Sequence, residues 1–305
     1  MVGTDRSKSQ EDRLSVTALL CGGMGNQLFQ YATARAVAIR NNATLVLNAS
    51  RYGGRDPFKR SYALSCFDLP AKETRVETRK SAAVSRTRRA LARLGPYAWN
   101  GVIVEPKRGI DKQLNAFAMT SCVTLDGYWQ NEDYFRDVSI AIRRDLQFAD
   151  AARYQTTTIA KSICASPVAI AVHVRRLHEV PAANGPKPLA DAERLGLALP
   201  VSYYRDAISL IDARVRNAHF FIFTDFTGWA ARNIAPLMRA ATILPQGERP
   251  DSEDLWLISR CKHHVIANSS FSWWGAWLAS GDGQIVIGPA SGRHRAQAPE
   301  AWLEV

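Results

Sequence analysis

The 305-residue chain has no CxxC pair, and its five cysteines (Cys21, Cys66, Cys122, Cys164, Cys261) are odd in number and widely spaced. This argues against a disulfide framework or a cysteine-based zinc site and fits a reducing cytoplasm. No apolar run approaches the ~18 residues that would cross a bilayer. The opening Met-Val-Gly-Thr-Asp-Arg-Ser-Lys-Ser-Gln-Glu-Asp-Arg is polar and lacks the apolar core of a signal peptide. A cytoplasmic protein with neither a membrane span nor an export address is expected. Asp-x-Asp is absent, so a diphosphate would need arginines and helix dipoles rather than a carboxylate-held metal. His263 and His264 are adjacent rather than at metal-ligand spacing, Ser-His-Asp and Cys-His nucleophile signatures are missing, and no metal or cofactor is expected. There is no internal repeat and no low-complexity tract.

With 47% apolar and 22% charged residues, the chain can bury a core of about two domains. The 39 Lys and Arg exceed the 28 Asp and Glu, and the net charge of +11 points to an acidic partner. No nucleic-acid-binding signature accompanies that charge, so no nucleic-acid partner is expected. Much of the excess lies between Lys72 and Lys112, where eleven basic residues face four acidic ones. That segment is either a solvated face or a patch resting on anionic lipid at the inner membrane face.

After a flexible tail over 1–14, the run Val16-Thr17-Ala18-Leu19-Leu20 stops at Cys21-Gly22-Gly23-Met24-Gly25 and yields to a helical pattern from about Asn26, then to a strand from Thr44 to Leu47. The same rhythm returns in the apolar runs 168–172, 220–223, 241–244, 264–267 and 284–287. Short strands of this kind, alternating with helices, make an α/β protein with parallel sheets covered on both faces. We expect two Rossmann-like domains facing across a cleft: 15–160, carrying a basic insertion over 72–112 with a helix near 78–94, and 161–305.

In such sheets ligands sit beyond the carboxyl ends of strands. The turn Gly22 to Gln27 presents backbone amides at a helix N-terminus, either for an anion or sugar hydroxyl or only to bring helix and strand close. It is neither a dinucleotide fingerprint nor a P-loop. His173-Val174-Arg175-Arg176 ends a buried strand, with His173 and Arg175 on one face and Arg176 on the other. Arg175 suits a diphosphate or a salt bridge. Asp225 suits a guanine edge or a helix N-cap. Ser269, Ser270 and Ser272 begin a helix whose hydroxyls and amides cap it or hold phosphate, and Trp273 and Trp277 read as packing.

Gly22-Gly23-Met24-Gly25-Asn26-Gln27-Leu28-Phe29-Gln30-Tyr31-Ala32, Gly127-Tyr128-Trp129-Gln130-Asn131-Glu132-Asp133-Tyr134-Phe135, His173-x-Arg175-Arg176, and the stretch from Asp254 through Cys261-Lys262-His263 to Asn268-Ser269-Ser270-Phe271-Ser272-Trp273-Trp274-Gly275-Ala276-Trp277-Leu278 resemble the bacterial-type α-1,2-fucosyltransferases of glycosyltransferase family 11. The resemblance implies a GT-B fold and inverting, metal-independent transfer from GDP-β-L-fucose to the 2-hydroxyl of a glycan, usually galactose. It implies Arg175 on the β-phosphate, His173 and Asp225 toward guanine, and Ser269, Ser270, Phe271 and Ser272 around the diphosphate and its sugar. Gly23, Gly25 and Asn26 fall on the acceptor side. The chain departs from the family in Leu177-His178, where Gly-Asp is usual, and in Phe226, where a second acid is usual. His178 takes the acid's place and is the candidate base. The alternatives are transfer of another GDP-sugar and a non-catalytic GDP-sugar- or glycan-binding protein.

Overall fold

A computed structural model describes residues 14–52, 60–75, 101–106, 110, 112–176, 198–279, 281–290 and 298–305. His178 and most of the basic segment, including the helix expected near 78–94, lie outside the described residues.

The chain forms two units, Met1–Leu64 with Leu69–Leu146, and Ser65–Asp68 with Gln147–Val305, so the division falls ahead of the 160/161 boundary expected from sequence. Each unit is built on a parallel sheet. In the first, strands β1 (Ser15–Leu19), β2 (Thr44–Asn48), β3 (Lys72–Thr74), β4 (Val102–Val104) and β5 (Val123–Asp126) run in the order β3-β2-β1-β5-β4. The basic segment is thus not wholly outside the sheet. Its two ends supply β3 and β4, edge strands of three residues each, Lys-Glu-Thr and Val-Ile-Val.

Helix α1 (Met24–Arg40) joins β1 to β2 and is buried over most of its circumference. Ala32, Ala34, Ala36 and Ala38 let it pack closely while favouring the helical backbone. It stops at Asn41-Asn42: Asn42 takes the left-handed conformation (φ 47°), and the Ala43 amide donates back to the Ala38 carbonyl.

The second unit has β6 (Val168–Val174), β7 (Ala218–Thr224), β8 (Ala241–Pro245), β9 (His263–Val265), β10 (Val286–Gly288) and β11 (Leu303–Glu304) in the order β11-β10-β9-β6-β7-β8. The central β6 is buried from Ala169 to Val174, which explains its unbroken apolar run. The helices of this unit include α2 (Val201–Asp212), α3 (Thr227–Asn233), α4 (Asp251–Arg260) and α5 (Ser270–Leu278). Residues Tyr203, Tyr204, Ala207, Ile208 and Ile211 form the buried stripe of α2 at helical spacing. Trp273 and Trp274 are fully buried, and Trp273 stacks on Trp277 at 6.1 Å with an interplanar angle of 13°, so these indoles are core. Among the described residues no helix is long and apolar enough to cross a membrane.

Candidate active site

Each sheet reverses its strand order at one point, and in parallel sheets that is where the loops at the carboxyl ends part to admit a ligand. In the second unit the reversal lies between β6 and β9, because β7 and β8 extend to one side of β6 while β9, β10 and β11 lie on the other. His173 is the penultimate residue of β6, Arg175 and Arg176 follow its end, and Asn268, Ser269 and Ser270 follow β9 into α5.

The two arginines divide their work. Arg176 is 2% exposed: its guanidinium donates to the Leu199 carbonyl at 2.7 Å and lies 3.9 Å over the Trp229 ring. Its amide donates to Asp225 Oδ1 at 2.8 Å. Arg176 therefore fastens β6 to its neighbours, and Arg175 is the half-buried member of the pair. Asp225 is held against the end of β6 by that amide bond; the N-cap position of α3 is taken by Phe226, and the adjacent turn is closed by the Phe226 amide donating to Thr224 Oγ1 at 3.0 Å.

His173 is 5% exposed, its ring centroid 6.0 Å from that of Phe271, and its Nδ1 has no hydrogen-bond partner. Burial first, then the positive charge of Arg175, lowers its pKa to about 3, so the imidazole is neutral at physiological pH. With the ring neutral, the positive charge of this turn comes from the arginines, of which Arg175 is the less buried.

Ser269 caps α5, its hydroxyl accepting from the Phe271 amide at 3.3 Å, while Ser270 is half-buried at the first helical position. The start of a helix, with its positive dipole end, and an arginine just after the adjoining strand are the parts a diphosphate needs in place of a metal. Ser272, expected to face the donor, does not: it is fully buried and its hydroxyl donates to the Ser269 carbonyl at 3.1 Å, so it locks the turn from inside.

In the first unit the reversal lies between β1 and β5. Gly22 is left-handed (φ 78°), and a Cβ there would stand 2.4 Å from Asn26 Nδ2. Gly23 is the N-cap of α1 with no side-chain cap, and Gly25 is buried inside the first turn. Asn26 reaches across the reversal point, its Oδ1 accepting from Gln130 Nε2 at 2.6 Å.

Sequence reasoning passed over the buried amides that build this turn. Gln27 donates to the carbonyls of Gly22 and Ser61 and accepts from the Ala63 amide. Gln30 donates to the Gly127 carbonyl at 2.9 Å and accepts from the Cys21 amide at 3.0 Å. Two glutamines three apart on an otherwise apolar helix face were the available signal, because buried amides must be paired.

Residues 107–302 match the model of the family described as Glycosyl transferase family 11. The chain belongs to that family. This family 11 chain is 29% identical over 313 residues to an Escherichia coli protein named alpha-1,2-colitosyltransferase, covering 95% of this chain and 98% of that one. Its fold matches fucosyltransferase NodZ from Bradyrhizobium (TM-score 0.51, 16% identity, covering 87% of this chain and 93% of that one). It also matches an Arabidopsis thaliana FUT1 mutant in complex with GDP (TM-score 0.54, 14% identity, 95% and 72% covered). The family 11 chain is a glycosyltransferase of the GT-B fold, with two Rossmann-like units.

Proposed function

We propose that the protein transfers L-fucose from GDP-β-L-fucose to the 2-hydroxyl of a galactosyl glycan, with inversion and without a metal ion. The observation that carries this reading is that Arg175, just after β6, and the serine-capped start of α5, just after β9, lie on the two strands that flank the strand-order reversal of the second sheet. In this reading Arg175 binds the β-phosphate, and Ser269 and Ser270 with the helix amides hold the remaining phosphate oxygens. His173 and Asp225 face the guanine. The acceptor 2-hydroxyl attacks the anomeric carbon opposite the leaving group, and the carbon–phosphate-oxygen bond breaks with its electron pair moving to GDP. Arg175 neutralises that charge as it forms, which is where such a cation does most for the rate. The hydroxyl proton passes to a base or to water, and His178 is our candidate for the base. Gly23 and Asn26 stand on the acceptor side.

A second reading is favoured by the similarity to the E. coli colitosyltransferase: a GDP-linked sugar that lacks the 3-hydroxyl of fucose. The test is GDP release from GDP-fucose and from GDP-colitose with lactose as acceptor and EDTA present, for the parent protein and Arg175→Ala. Acceptor-dependent release that falls at least a hundredfold in the variant supports the mechanism, and the faster donor identifies the sugar. Release unaffected by the substitution would remove Arg175 from the chemistry.

A further inference from the structure

The reversal point of the first sheet is bordered by a loop whose backbone is held in a costly conformation. Trp129 has φ 55°, a left-handed geometry that bulky residues rarely adopt. Glu105, immediately after β4, stabilises it: Oε2 accepts from the Tyr128 amide at 2.6 Å and Oε1 from the Trp129 amide at 2.8 Å, and the Gln130 amide also bonds to this carboxylate. Consecutive amides converging on one anion form a backbone nest, here filled by the protein's own side chain. The fit is close, since a Cβ on Gly127 would lie 2.3 Å from Glu105 Cβ.

The nest sends neighbouring rings in opposite directions. Trp129 goes into the core, 1% exposed and edge-on to Tyr134 at 5.4 Å, with no hydrogen-bond partner for its indole nitrogen. Tyr128 is turned outward and is 44% exposed, one of the few large apolar side chains so placed among the described residues. Two residues further along the same loop, the side-chain amide of Gln130 is paired with that of Asn26, which follows β1 in the first turn of α1. Strained backbone held by its surroundings is concentrated at ligand clamps. An exposed aromatic face next to fixed amides is complementary to a sugar, with ring hydrogens against the face and hydroxyls to the amides.

We propose that Tyr128 is the platform on which the acceptor pyranose stacks, with Asn26 and Gln130 taking its hydroxyls, and that Glu105 is the positioning residue that fixes the platform. The acceptor class is a pyranoside with one continuous face of C–H bonds, as in a β-galactoside, whose hydrogens at C3, C4 and C5 share a side. This rests on the transferase reading above and adds to it the residues that select the acceptor.

The test measures KM for lactose and affinity for GDP separately. Tyr128→Ala raises KM for lactose at least tenfold while GDP affinity stays within twofold, and Tyr128→Phe and Tyr128→Trp restore KM to within threefold because the ring face is retained. Glu105→Gln, which cannot accept all three amides, raises KM for lactose in the same direction. An unchanged KM in Tyr128→Ala, an equal loss of GDP affinity, or failure of both aromatic replacements to rescue would overturn the proposal. If the parent protein releases no GDP from either donor, the transferase reading fails on its own. Saturation-transfer NMR with lactose and methyl β-galactoside then decides the platform: transfer to the galactose H3–H5 protons that disappears in Tyr128→Ala supports it, and absence of transfer in the parent protein overturns it.

Discussion

Replacing Gly22 by Ala tests the argument that the first glycine turn is shaped by a backbone only glycine accepts. At φ 78° an L side chain costs roughly 1–2 kcal/mol. The backbone cannot relax easily, because the Gly22 carbonyl accepts from Gln27 Nε2 at 3.1 Å and from the Tyr52 hydroxyl at 2.9 Å. The new Cβ would sit 2.4 Å from Asn26 Nδ2, so Asn26 must swing away and release Gln130, losing a hydrogen bond worth about 1 kcal/mol. Together these destabilise the first unit by about 2–3 kcal/mol. Equilibrium urea unfolding measures the loss, with GDP affinity, a property we assign to the second unit, expected to stay within twofold. Gly22→Asn separates the two contributions: asparagine tolerates the left-handed backbone but keeps the clash, so its cost is smaller by about 1 kcal/mol. A loss under about 0.5 kcal/mol in Gly22→Ala, or equal losses in both variants, would refute the reasoning.

Gly275→Ala places a Cβ 2.3 Å from Ile258 Cγ2 where α5 crosses α4, and overpacking there is expected to cost about 1–3 kcal/mol by urea unfolding. Ile258→Ala alone leaves a cavity, but in combination it relieves the clash, so the loss in the double variant is expected to be smaller than the sum of the two single losses. His264 is fully buried, its Nε2 donating to the Ile258 carbonyl at 2.9 Å, and burial lowers its pKa to about 4 from 6.5. Between those values the unfolded chain binds the extra proton, so stability falls with decreasing pH by about 1.4 kcal/mol per unit from this residue. The slope of unfolding free energy between pH 6.5 and 5 is expected to flatten by about one proton in His264→Leu, whatever that variant's absolute stability. Arg176→Lys keeps the charge but loses the stacked, planar contact with Trp229 and the fixed bond to Leu199, and is expected to lower stability by about 1–3 kcal/mol in the same assay.

The alternating strands of both units were legible because buried parallel strands leave apolar runs, as Val168–Val174 does. The edge strands Lys72–Thr74 and Val102–Val104 were not: each is three residues long at one end of a basic segment, and pairing with residues distant in sequence is what makes it a strand. At the site, spacing alone gave His173 and Arg175 one face and Arg176 the other, but not the destination of Arg176, which depends on Trp229 and Leu199 being brought to it by the fold. Ser272 illustrates the converse. Its place in a serine-rich helix start suggests a ligand, while the turn it closes buries it. Glu105 carried no local signal at all, because its meaning comes from the amides of residues more than twenty positions later.

The second unit is not encoded as one continuous stretch. Cys66 and Phe67 reach it from within the first: Phe67 bridges Phe148 in antiparallel fashion with their rings 4.8 Å apart, and the Ala149 amide donates to the Cys66 carbonyl at 2.9 Å. A gene fragment beginning at residue 147 would therefore yield a unit missing one of its own pieces, with Phe148 stripped of its ring partner and the Ala149 amide of its acceptor. During synthesis the order is reversed, for the small piece leaves the ribosome first and must wait for the body it belongs to. Dissection of this transferase into halves is thus a question of supplying residues 65–68 in trans, and a peptide carrying them is the natural reagent for restoring an isolated C-terminal fragment.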